Sequence, residues 1–338
     1  MKVYCGIPQD LTKVPAAVKQ AQEMGYDGVT SSETQHDPFF PLVLAAEHSQ
    51  SVRLTTSVAI AFPRSPMIMA NIAWDLQNYS QGRFILGMGS QVKGHNERRF
   101  SVPWVAPGPR LREYVLALRA IWDCWQNNTP LKFEGEHYHF SLMTPNFSPG
   151  PIKFPRPPVH IAAVGTYMAR MAGEVCDGLR PHGFTTPKYV QDITLPNLEA
   201  GAKKAGRSLK DLDIFGGGFM AVGADAKDAE RLAEGMRTQI AFYGSTRTYH
   251  NVFELHGWKE IGPKLHEMSL KGQWSEMAKA VPDNVLEEFA LVCTLDDVVE
   301  KVKKRYGGYA TSLGLSLPTR TPQEVQKAKA VIQAIKAL

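Results

Sequence analysis

The N-terminal third of the chain alternates short apolar runs with segments whose apolar residues recur at helical spacing. Val3–Ile7 is such a run; after it, Val14, Val18 and Ala21 fall three or four residues apart ahead of Gly25, which suits a helix end. The alternation continues with a strand over Asp27–Thr30, a helix over Leu42–His48, a strand over Leu54–Ala61, a helix over Met67–Tyr79 and a strand over Arg83–Met88. Strands that alternate with helices indicate a parallel sheet with crossover connections.

The same alternation returns in the C-terminal half. It predicts strands over Val159–Ala163, Asp177–Arg180, Asp213–Val222, Phe289–Cys293 and Ser312–Leu317, with helices between them over Thr166–Glu174, Tyr189–Ala205 and Asp225–Ala241. About eight parallel strands, with no Gly/Ser-rich linker, favour one α/β domain over residues 1–338, a (β/α)8 TIM barrel, above two doubly wound domains. Two aromatic-rich stretches, about 89–158 and 242–288, are expected as long insertions in that barrel.

Composition narrows the class of protein. The 338 residues are 43% hydrophobic and 21% charged, which is typical of a globular enzyme, and the net charge of +5 comes without a basic run. We therefore expect a small-molecule ligand, compatible with an anion, and no nucleic-acid partner. No stretch approaches a membrane span, so no membrane association is expected. The four cysteines lie far apart, which disfavours disulfides and zinc and favours a reducing cytoplasmic location.

Several strong motifs are absent. Gly87–Val92 lacks the third glycine of a dinucleotide fingerprint, and the chain contains no P-loop, no zinc-protease HExxH and no serine-hydrolase GxSxG motif. Candidate chemistry must then come from position, because a barrel enzyme carries its reactive groups at the C-terminal ends of its strands.

Polar or small residues follow four of the predicted strands. His36 ends a polar cluster after the second strand, Ser57 and Val58 lie near the end of the third, and Gly89, Ser90 and Gln91 follow the fourth, ahead of a basic loop. Each of these three segments could instead be purely structural: His36 in a surface turn, Ser57 and Val58 in plain strand packing, and Gly89–Gln91 at a strand exit with solvated charges. His182 leaves the sixth strand beside Arg180.

The fifth strand runs into a helix start. Ala162, Ala163, Val164 and Gly165 are small or apolar, and Thr166 is expected to cap the helix that follows. Unpaired amides and the positive end of the helix dipole would make this an anion site, although helix starts are common. Two other clusters are discounted: Glu134–Phe140 fits a polar hairpin face better than a metal site, and Gly216–Gly218 fits close packing or a bulge better than a phosphate cradle.

These strand ends together resemble the luciferase-like monooxygenase superfamily, in particular its branch that uses the deazaflavin coenzyme F420. The resemblance extends over essentially the whole chain and rests on the order and spacing of several segments: Gly25–Val29, Ser57–Val58, Gly82–Gly89, Arg110–Tyr114, His160–Gly165, Ala172–Gly178, Phe242–Thr246 and Arg305–Gly308. It implies an insertion-bearing (β/α)8 barrel, usually dimeric, with a tricyclic ring at its mouth. It also implies a non-proline cis peptide between Ser57 and Val58 behind the ring, and phosphate contacts at Val164, Gly165 and Thr166.

The implied function is an F420-dependent oxidoreductase that transfers a hydride between the deazaflavin and a small organic substrate. His36 is the candidate acid/base, with His95 or His182 as replacements. Relatives that act on a sugar phosphate carry a glutamate after the fourth strand and a His-containing motif ending in Trp after the second; Gln91–Lys93 and Gln35–Phe39 stand there instead, which disfavours that substrate.

Three other functions remain open: an FMN-dependent two-component flavin monooxygenase on the same fold, a barrel hydrolase, and a noncatalytic binding barrel. A hydrolase would need a close pair of carboxylates or a set of metal ligands, and the acidic residues of this chain are scattered. The anionic tail of F420 needs a basic, open exit, for which the sequence offers Lys93, Arg98 and Arg99 after the fourth strand and Arg180, His182 and Lys188 after the sixth.

Overall fold

The computed structural model describes residues 1–338, with short strands that alternate with helices along nearly the whole chain. In chain order the strands are β1 (Lys2–Gly6), β2 (Gly28–Ser31), β3 (Arg53–Thr56), β4 (Ala59–Ile60), β5 (Phe84–Gly89), β6 (Phe133–Glu134), β7 (His139–Phe140), β8 (Val159–Ala163), β9 (Gly178–Pro181), β10 (Asp213–Ile214), β11 (Phe219–Gly223), β12 (Ala290–Thr294) and β13 (Ser312–Gly314).

The helices cover most of the remaining chain. They are α1 (Val14–Met24), α2 (Phe39–Glu47), α3 (Pro66–Tyr79), α4 (Lys93–Arg98), α5 (Pro107–Asn127), α6 (Thr166–Val175), α7 (Pro187–Tyr189), α8 (Leu195–Lys204), α9 (Ala226–Gly244), α10 (His250–Leu255), α11 (Ile261–Leu270), α12 (Asp283–Phe289), α13 (Val298–Tyr306) and α14 (Pro322–Lys336). None of them combines the length and the apolar character needed to cross a membrane.

Eight parallel strands form the barrel, side by side in the order β10, β9, β8, β5, β3, β2, β1 and β13. Its two edge strands meet through a parallel bridge between Phe215 and Ser312, where the amide of Gly216 donates to the Ser312 carbonyl at 2.8 Å. The α/β barrel expected from the sequence is confirmed. The expected hairpin is present too, as the antiparallel pair β6 and β7.

Two strands expected to be continuous are interrupted. The stretch 54–61 breaks at Ser57 and Val58 into β3 and β4, and the stretch 213–222 breaks at three glycines into β10 and β11. β11 then leaves the barrel and pairs with β12, so the strand expected at Phe289–Cys293 lies outside the barrel as well.

The glycine run marks the point where the chain leaves the barrel because nothing larger fits there. A Cβ on Gly216 would lie 2.6 Å from Leu313 Cδ1, and one on Gly217 would lie 2.7 Å from Pro181 Cβ. Gly218 has a φ of +96°, in the region that disfavours side chains. The close-packing interpretation of Gly216–Gly218 is confirmed.

The core has two parts. A large apolar cluster joins the barrel strands to their surrounding helices. A smaller one, around the buried rings of Phe184, Phe253 and Phe289, packs β11, β12 and helices α9 to α12 together. This second cluster lies against the end of β9, so the chain beyond β10 builds one wall of the barrel mouth.

Candidate functional site

The C-terminal end of the barrel carries a bulge between β3 and β4. Thr55 pairs with Ile85 on β5, and Ala59 pairs with Met88, so one extra residue is accommodated around Ser57 and Val58. The peptide bond between Ser57 and Val58 is cis, as the resemblance implied. Ser57 is exposed and Val58 is half-buried.

Small residues from two strands, β5 and β8, meet Val58 beside this bulge. A Cβ on Gly89, the last residue of β5, would lie 3.2 Å from Val58 Cγ2 and 3.5 Å from the Cβ of Ala162 on β8. Gly89 is itself buried, so Val58 and Ala162, both half-buried, pack closely over the backbone of β5. Ala163, next on β8, accepts a hydrogen bond from the amide of His182 at 3.2 Å, which ties β8 to the exit of β9.

Helix α6 begins directly after β8. Its N-cap is Gly165 and not Thr166, which is the first helical residue, and no side chain caps it; the expectation of a threonine cap was wrong. Nothing lies within 4 Å of the position that a Cβ on Gly165 would occupy. The Val164 carbonyl accepts from the hydroxyl of Tyr189 at 3.1 Å, so it is fixed in place. The start of α6 is an open helix N-terminus on the same face as the bulge.

Ser90 and Gln91 continue from β5 into α4. Asn96, fully buried, donates to the Ser90 carbonyl at 2.9 Å and to the Val92 carbonyl at 3.1 Å. Gln91 has a φ of +58°, and its side-chain oxygen accepts from the amide of Val92. Asn96 thereby holds the turn that carries Ser90 and Gln91, and it leaves His95 exposed beside it.

His36 is exposed in the loop after β2 and makes no hydrogen bond within the chain. Its loop is braced by two acids that meet Arg64: Glu33 Oε2 lies 2.9 Å from Arg64 Nη1, and Asp37 Oδ2 lies 2.7 Å from Nη2. Glu33 also accepts from the amide of Ile60 on β4 at 2.7 Å. One carboxylate thus connects the loop that carries His36 to the strand beyond the bulge.

His182 lies on the opposite side of the mouth in an aromatic setting. Its ring centroid is 4.7 Å from that of Tyr243 and 5.0 Å from that of Tyr249. Burial lowers the pKa of His182 to about 4, so the ring is neutral near pH 7. Because Nδ1 accepts from the amide of Phe184 at 2.9 Å, the proton of the neutral ring lies on Nε2, which can donate to a ligand.

Arg180 was expected on an exposed basic rim and is instead inside the barrel, with 4% of its surface exposed. Its guanidinium donates to Thr55 Oγ1 at 2.9 Å and to Ser57 Oγ at 3.4 Å, and it lies 3.7 Å from the ring centroid of Phe215. Alternate side chains of a barrel strand point inward, and Arg180 occupies such an inward-facing position on β9.

The other basic residues expected at the rim of the barrel mouth differ in whether an acidic side chain balances their charge. Lys93 pairs with Glu97 at 3.9 Å and Lys188 with Asp192 at 2.6 Å, so their charges are partly balanced. Arg98 is exposed without an acidic partner, and Arg99 donates to the Thr34 carbonyl. No group of three or more histidine, cysteine or acidic side chains is placed to hold a metal ion.

Sequence reasoning did not identify the Glu33–Arg64 brace or the aromatic partners of His182. Tyr243 and Tyr249 come from the second excursion, some sixty residues after His182, and no spacing pattern connects them. The burial of Arg180 was not indicated either, because the order of residues along the chain does not distinguish an interior cation from an exposed one.

Comparison with known proteins agrees with this geometry. The model of the luciferase-like monooxygenase family matches residues 4–312. An uncharacterized protein of Mycobacterium tuberculosis is 43% identical over 308 residues, 91% of both chains. The 5,10-methylenetetrahydromethanopterin reductase of Archaeoglobus fulgidus is 29% identical over 296 residues, 85% of this chain and 84% of the relative. The solved coenzyme F420 dependent tetrahydromethanopterin reductase from Methanopyrus kandleri superposes with a TM-score of 0.78 at 22% identity, covering 99% of this chain and 98% of that one.

Proposed function

Since this chain belongs to the luciferase-like monooxygenase family, we propose that it is an F420-dependent oxidoreductase that passes a hydride between the deazaflavin and a small organic substrate. The observation that carries the proposal is the surface of Val58 and Ala162, both half-buried, which pack over Gly89 at the C-terminal end of the barrel beside the open start of α6. A flat ring needs a small-residue floor, and a phosphate needs free amides.

Relatives support the choice of cofactor. Proteins at 27–29% identity over 85–86% of this chain are named as a methylenetetrahydromethanopterin reductase and as a putative coenzyme F420-dependent oxidoreductase. The family also contains monooxygenases, so an FMN-dependent monooxygenase is the competing function. A deazaflavin supplies a hydride and does not readily activate oxygen, which separates the two chemistries.

The residues of this chain have distinct roles in the proposal. The bulge at Ser57 and Val58 and the floor at Gly89 and Ala162 position the ring. The amides at Gly165 and Thr166 bind the phosphate, and Ser90 and Gln91 contact the ligand beyond β5. His182, neutral with its proton on Nε2, donates a hydrogen bond to the ligand and does not deliver a proton. Of the two exposed histidines near the mouth, His36 and His95, we assign the acid/base role to His36, whose loop is connected by Glu33 to the strand beyond the bulge.

Titration of the purified protein with each cofactor tests the proposal. We expect the deazaflavin to bind more tightly than FMN, as measured by the absorption or fluorescence change of the ring. The bound deazaflavin should then exchange a hydride with an alcohol or a reduced pterin-like substrate. Tighter binding of FMN, with oxygen consumption on reduction, would favour the monooxygenase.

The role of His36 is tested separately. Replacing His36 by Gln removes the acid/base and keeps a polar side chain, so the rate of hydride transfer should fall by about 10²-fold or more while cofactor affinity stays unchanged. His95→Gln, at a second exposed histidine near the mouth, is the matched control. If the His95 variant loses the rate and the His36 variant keeps it, the roles of the two residues are exchanged.

A further inference from the structure

The guanidinium of Arg180 is a buried cation without an ion pair. No carboxylate oxygen lies within 4 Å of it, and its Nε makes no hydrogen bond. Burial lowers the pKa of Arg180 to about 10, which still leaves it charged near neutral pH. A buried charge of this kind is costly unless something compensates it.

The groups around Arg180 compensate it only in part. Phe215 offers its ring face, and Thr55 offers a neutral hydroxyl. The acid that acts on Arg180 is Asp213 on β10, more than 4 Å away. Its Oδ1 accepts from Ser312 at 2.7 Å, while its Oδ2, 4.0 Å from His160 Nε2 on β8, has no hydrogen-bond partner.

Other titratable groups near this cluster do not add a free negative charge. Tyr4 on β1 has a pKa raised to about 12 by burial, and Arg53 on β3 is itself a cation. Glu33, on the loop after β2, is paired with Arg64. Nothing on the side of the barrel mouth therefore cancels the remaining positive potential of Arg180.

The arrangement of the side chain also points to the mouth. Nη1 of Arg180 donates to Ser57 Oγ, and Ser57 is exposed at the bulge. On the β5 side, a Cβ at Gly87 would collide with the Thr56 carbonyl oxygen and lie 3.1 Å from Arg180 Nε, so the glycine leaves room for both the β3 backbone and the guanidinium. A fixed cation thus lies directly beneath an exposed residue of the site, in a low-dielectric interior that strengthens its effect.

We propose that Arg180 selects for negative charge on the ligand ring: acting through Ser57, it stabilises the anionic form of a ring system that sits against Ser57 and Val58. This inference rests on the proposed function, because it requires a ring cofactor at the mouth. Both candidate cofactors have an acidic ring proton whose loss gives a delocalised anion with a different absorption spectrum. Arg180 then acts as a determinant of ring ionisation and not as a proton donor.

A spectrophotometric pH titration of the bound ring tests the proposal. In the wild-type protein we expect the ring pKa to lie below that of the free cofactor, by about one unit or more. Arg180→Met should raise the ring pKa by about the same amount, which is about tenfold in proton affinity, whereas Arg180→Lys keeps the charge and should stay within about threefold of wild type.

A matched control is Arg83→Met. Arg83 is likewise a partly buried guanidinium that bonds only to neutral oxygens, those of Ser49, Val52 and Ser80 among them, but it precedes β5 at the opposite end of the barrel. Its loss should leave the ring pKa unchanged. Comparing the Arg180 and Arg83 variants thus distinguishes the effect of a charge beneath the mouth from the general effect of losing a buried arginine.

The outcomes separate this inference from the proposed function. If wild-type protein binds neither cofactor, the proposed function fails and the inference fails with it. If wild-type protein binds a cofactor whose ring pKa equals the free value, or Arg180→Met leaves that pKa unchanged, only the inference is overturned. If Arg180→Met does not fold or does not bind, Arg180→Lys decides: a retained low ring pKa supports the charge, and its loss shows a purely structural arginine.

Discussion

Gly165 shows how a single residue can separate ligand binding from stability. Its φ is −78°, which any residue adopts, and a Cβ there would meet open space. An aspartate at this N-cap position would accept from the amides of the first turn and stabilise α6. The same carboxylate would occupy the amides and place a negative charge where a phosphate is proposed to bind.

Gly165→Asp should therefore keep or slightly raise the unfolding temperature and weaken cofactor binding by about tenfold, at least about 1.4 kcal/mol. Gly165→Ala, which adds the Cβ alone, should bind within about twofold of wild type. Isothermal titration together with thermal unfolding measures both quantities. An aspartate variant that folds normally and binds as tightly as wild type would place the phosphate elsewhere.

His182 gives a prediction about pH. Burial lowers its pKa from about 6.5 to about 4, so the folded chain keeps the ring neutral where the unfolded chain already binds a proton. As the pH falls between these two values, the unfolded state takes up protons first and folding stability decreases. His160, whose pKa burial lowers to about 3, contributes in the same direction.

His182→Asn keeps an acceptor for the amide of Phe184 and removes the titrating ring. Between about pH 7 and pH 5, the wild-type protein should lose about 1–2 kcal/mol more unfolding free energy than this variant does. Chemical denaturation at the two pH values measures the difference. His95→Asn, at an exposed position, should behave as wild type; equal pH slopes in all three proteins would contradict the buried neutral state of His182.

Among the elements, some helix starts and buried faces are specified by the local sequence, although the start of α6 is not one of them. Thr321 caps α14 by accepting from the amide of Glu324 at 3.2 Å, with Pro322 at the first helical position, so the Thr-Pro-Gln-Glu sequence marks this helix start. Val298, Val302 and Tyr306, four residues apart, lie fully buried along α13. Both features depend on residues within one or two turns of each other, so the local sequence is sufficient to specify them.

The interruptions of two strands could not be predicted in the same way. The stretch 54–61 mixes apolar, small and β-branched residues without a glycine or proline to break it, and only its pairing with β5 shows that an extra residue is inserted at the bulge. The exit of β11 from the barrel depends on Leu313 and Pro181, which are distant in sequence from Gly216 and Gly217. Register and strand partner are tertiary properties, and the apolar pattern of one strand does not contain them.

The same limit applies to the brace behind the bulge. Glu33 holds the amide of Ile60 and the guanidinium of Arg64, and its side chain is 7% exposed. Glu33→Gln keeps the shape but removes the charge, so we expect the unfolding free energy to fall by about 1–3 kcal/mol. Cofactor affinity should fall as well, because β4 is anchored less firmly beside Val58.

Glu97→Gln is the control for this change, since Glu97 is exposed and pairs with Lys93 at 3.9 Å. It should cost less than about 0.5 kcal/mol. Denaturant titration of the two variants compares a buried brace with a surface pair directly. Equal, small losses would mean that the Ile60 amide and Arg64 find other partners when Glu33 is gone.

At the scale of the whole molecule, the sequence predicted the barrel but overestimated the basic rim. Of the cations expected at the exit, Arg180 is buried, Lys188 is paired, and His182 is held neutral. Neither the net charge nor the position of a residue along the chain tells whether its side chain is buried, so neither can distinguish an interior cation from a solvated one. Arg98, exposed after β5 and without an acidic partner, remains as a rim cation.

The salt dependence of cofactor binding follows from this distribution. An anionic tail that leaves the mouth near Arg98 would be attracted mainly through solvent, where salt screens the interaction within about 10 Å at 0.1 M ionic strength. Arg98→Gln should weaken deazaflavin binding by about threefold at low salt and have no effect at about 1 M salt. Lys210→Gln makes the same charge change ahead of β10, at the opposite end of the barrel, and should leave affinity unchanged at both salt levels.

FMN lacks the additional carboxylates, so its affinity should respond less to either salt or Arg98→Gln. Fluorescence titrations of the three proteins with both cofactors at two salt concentrations measure all of these effects. A loss of affinity in the Arg98 variant that persists at high salt would mean a short-range contact instead of a screened one, and an equal loss in the Lys210 variant would mean that only net charge matters.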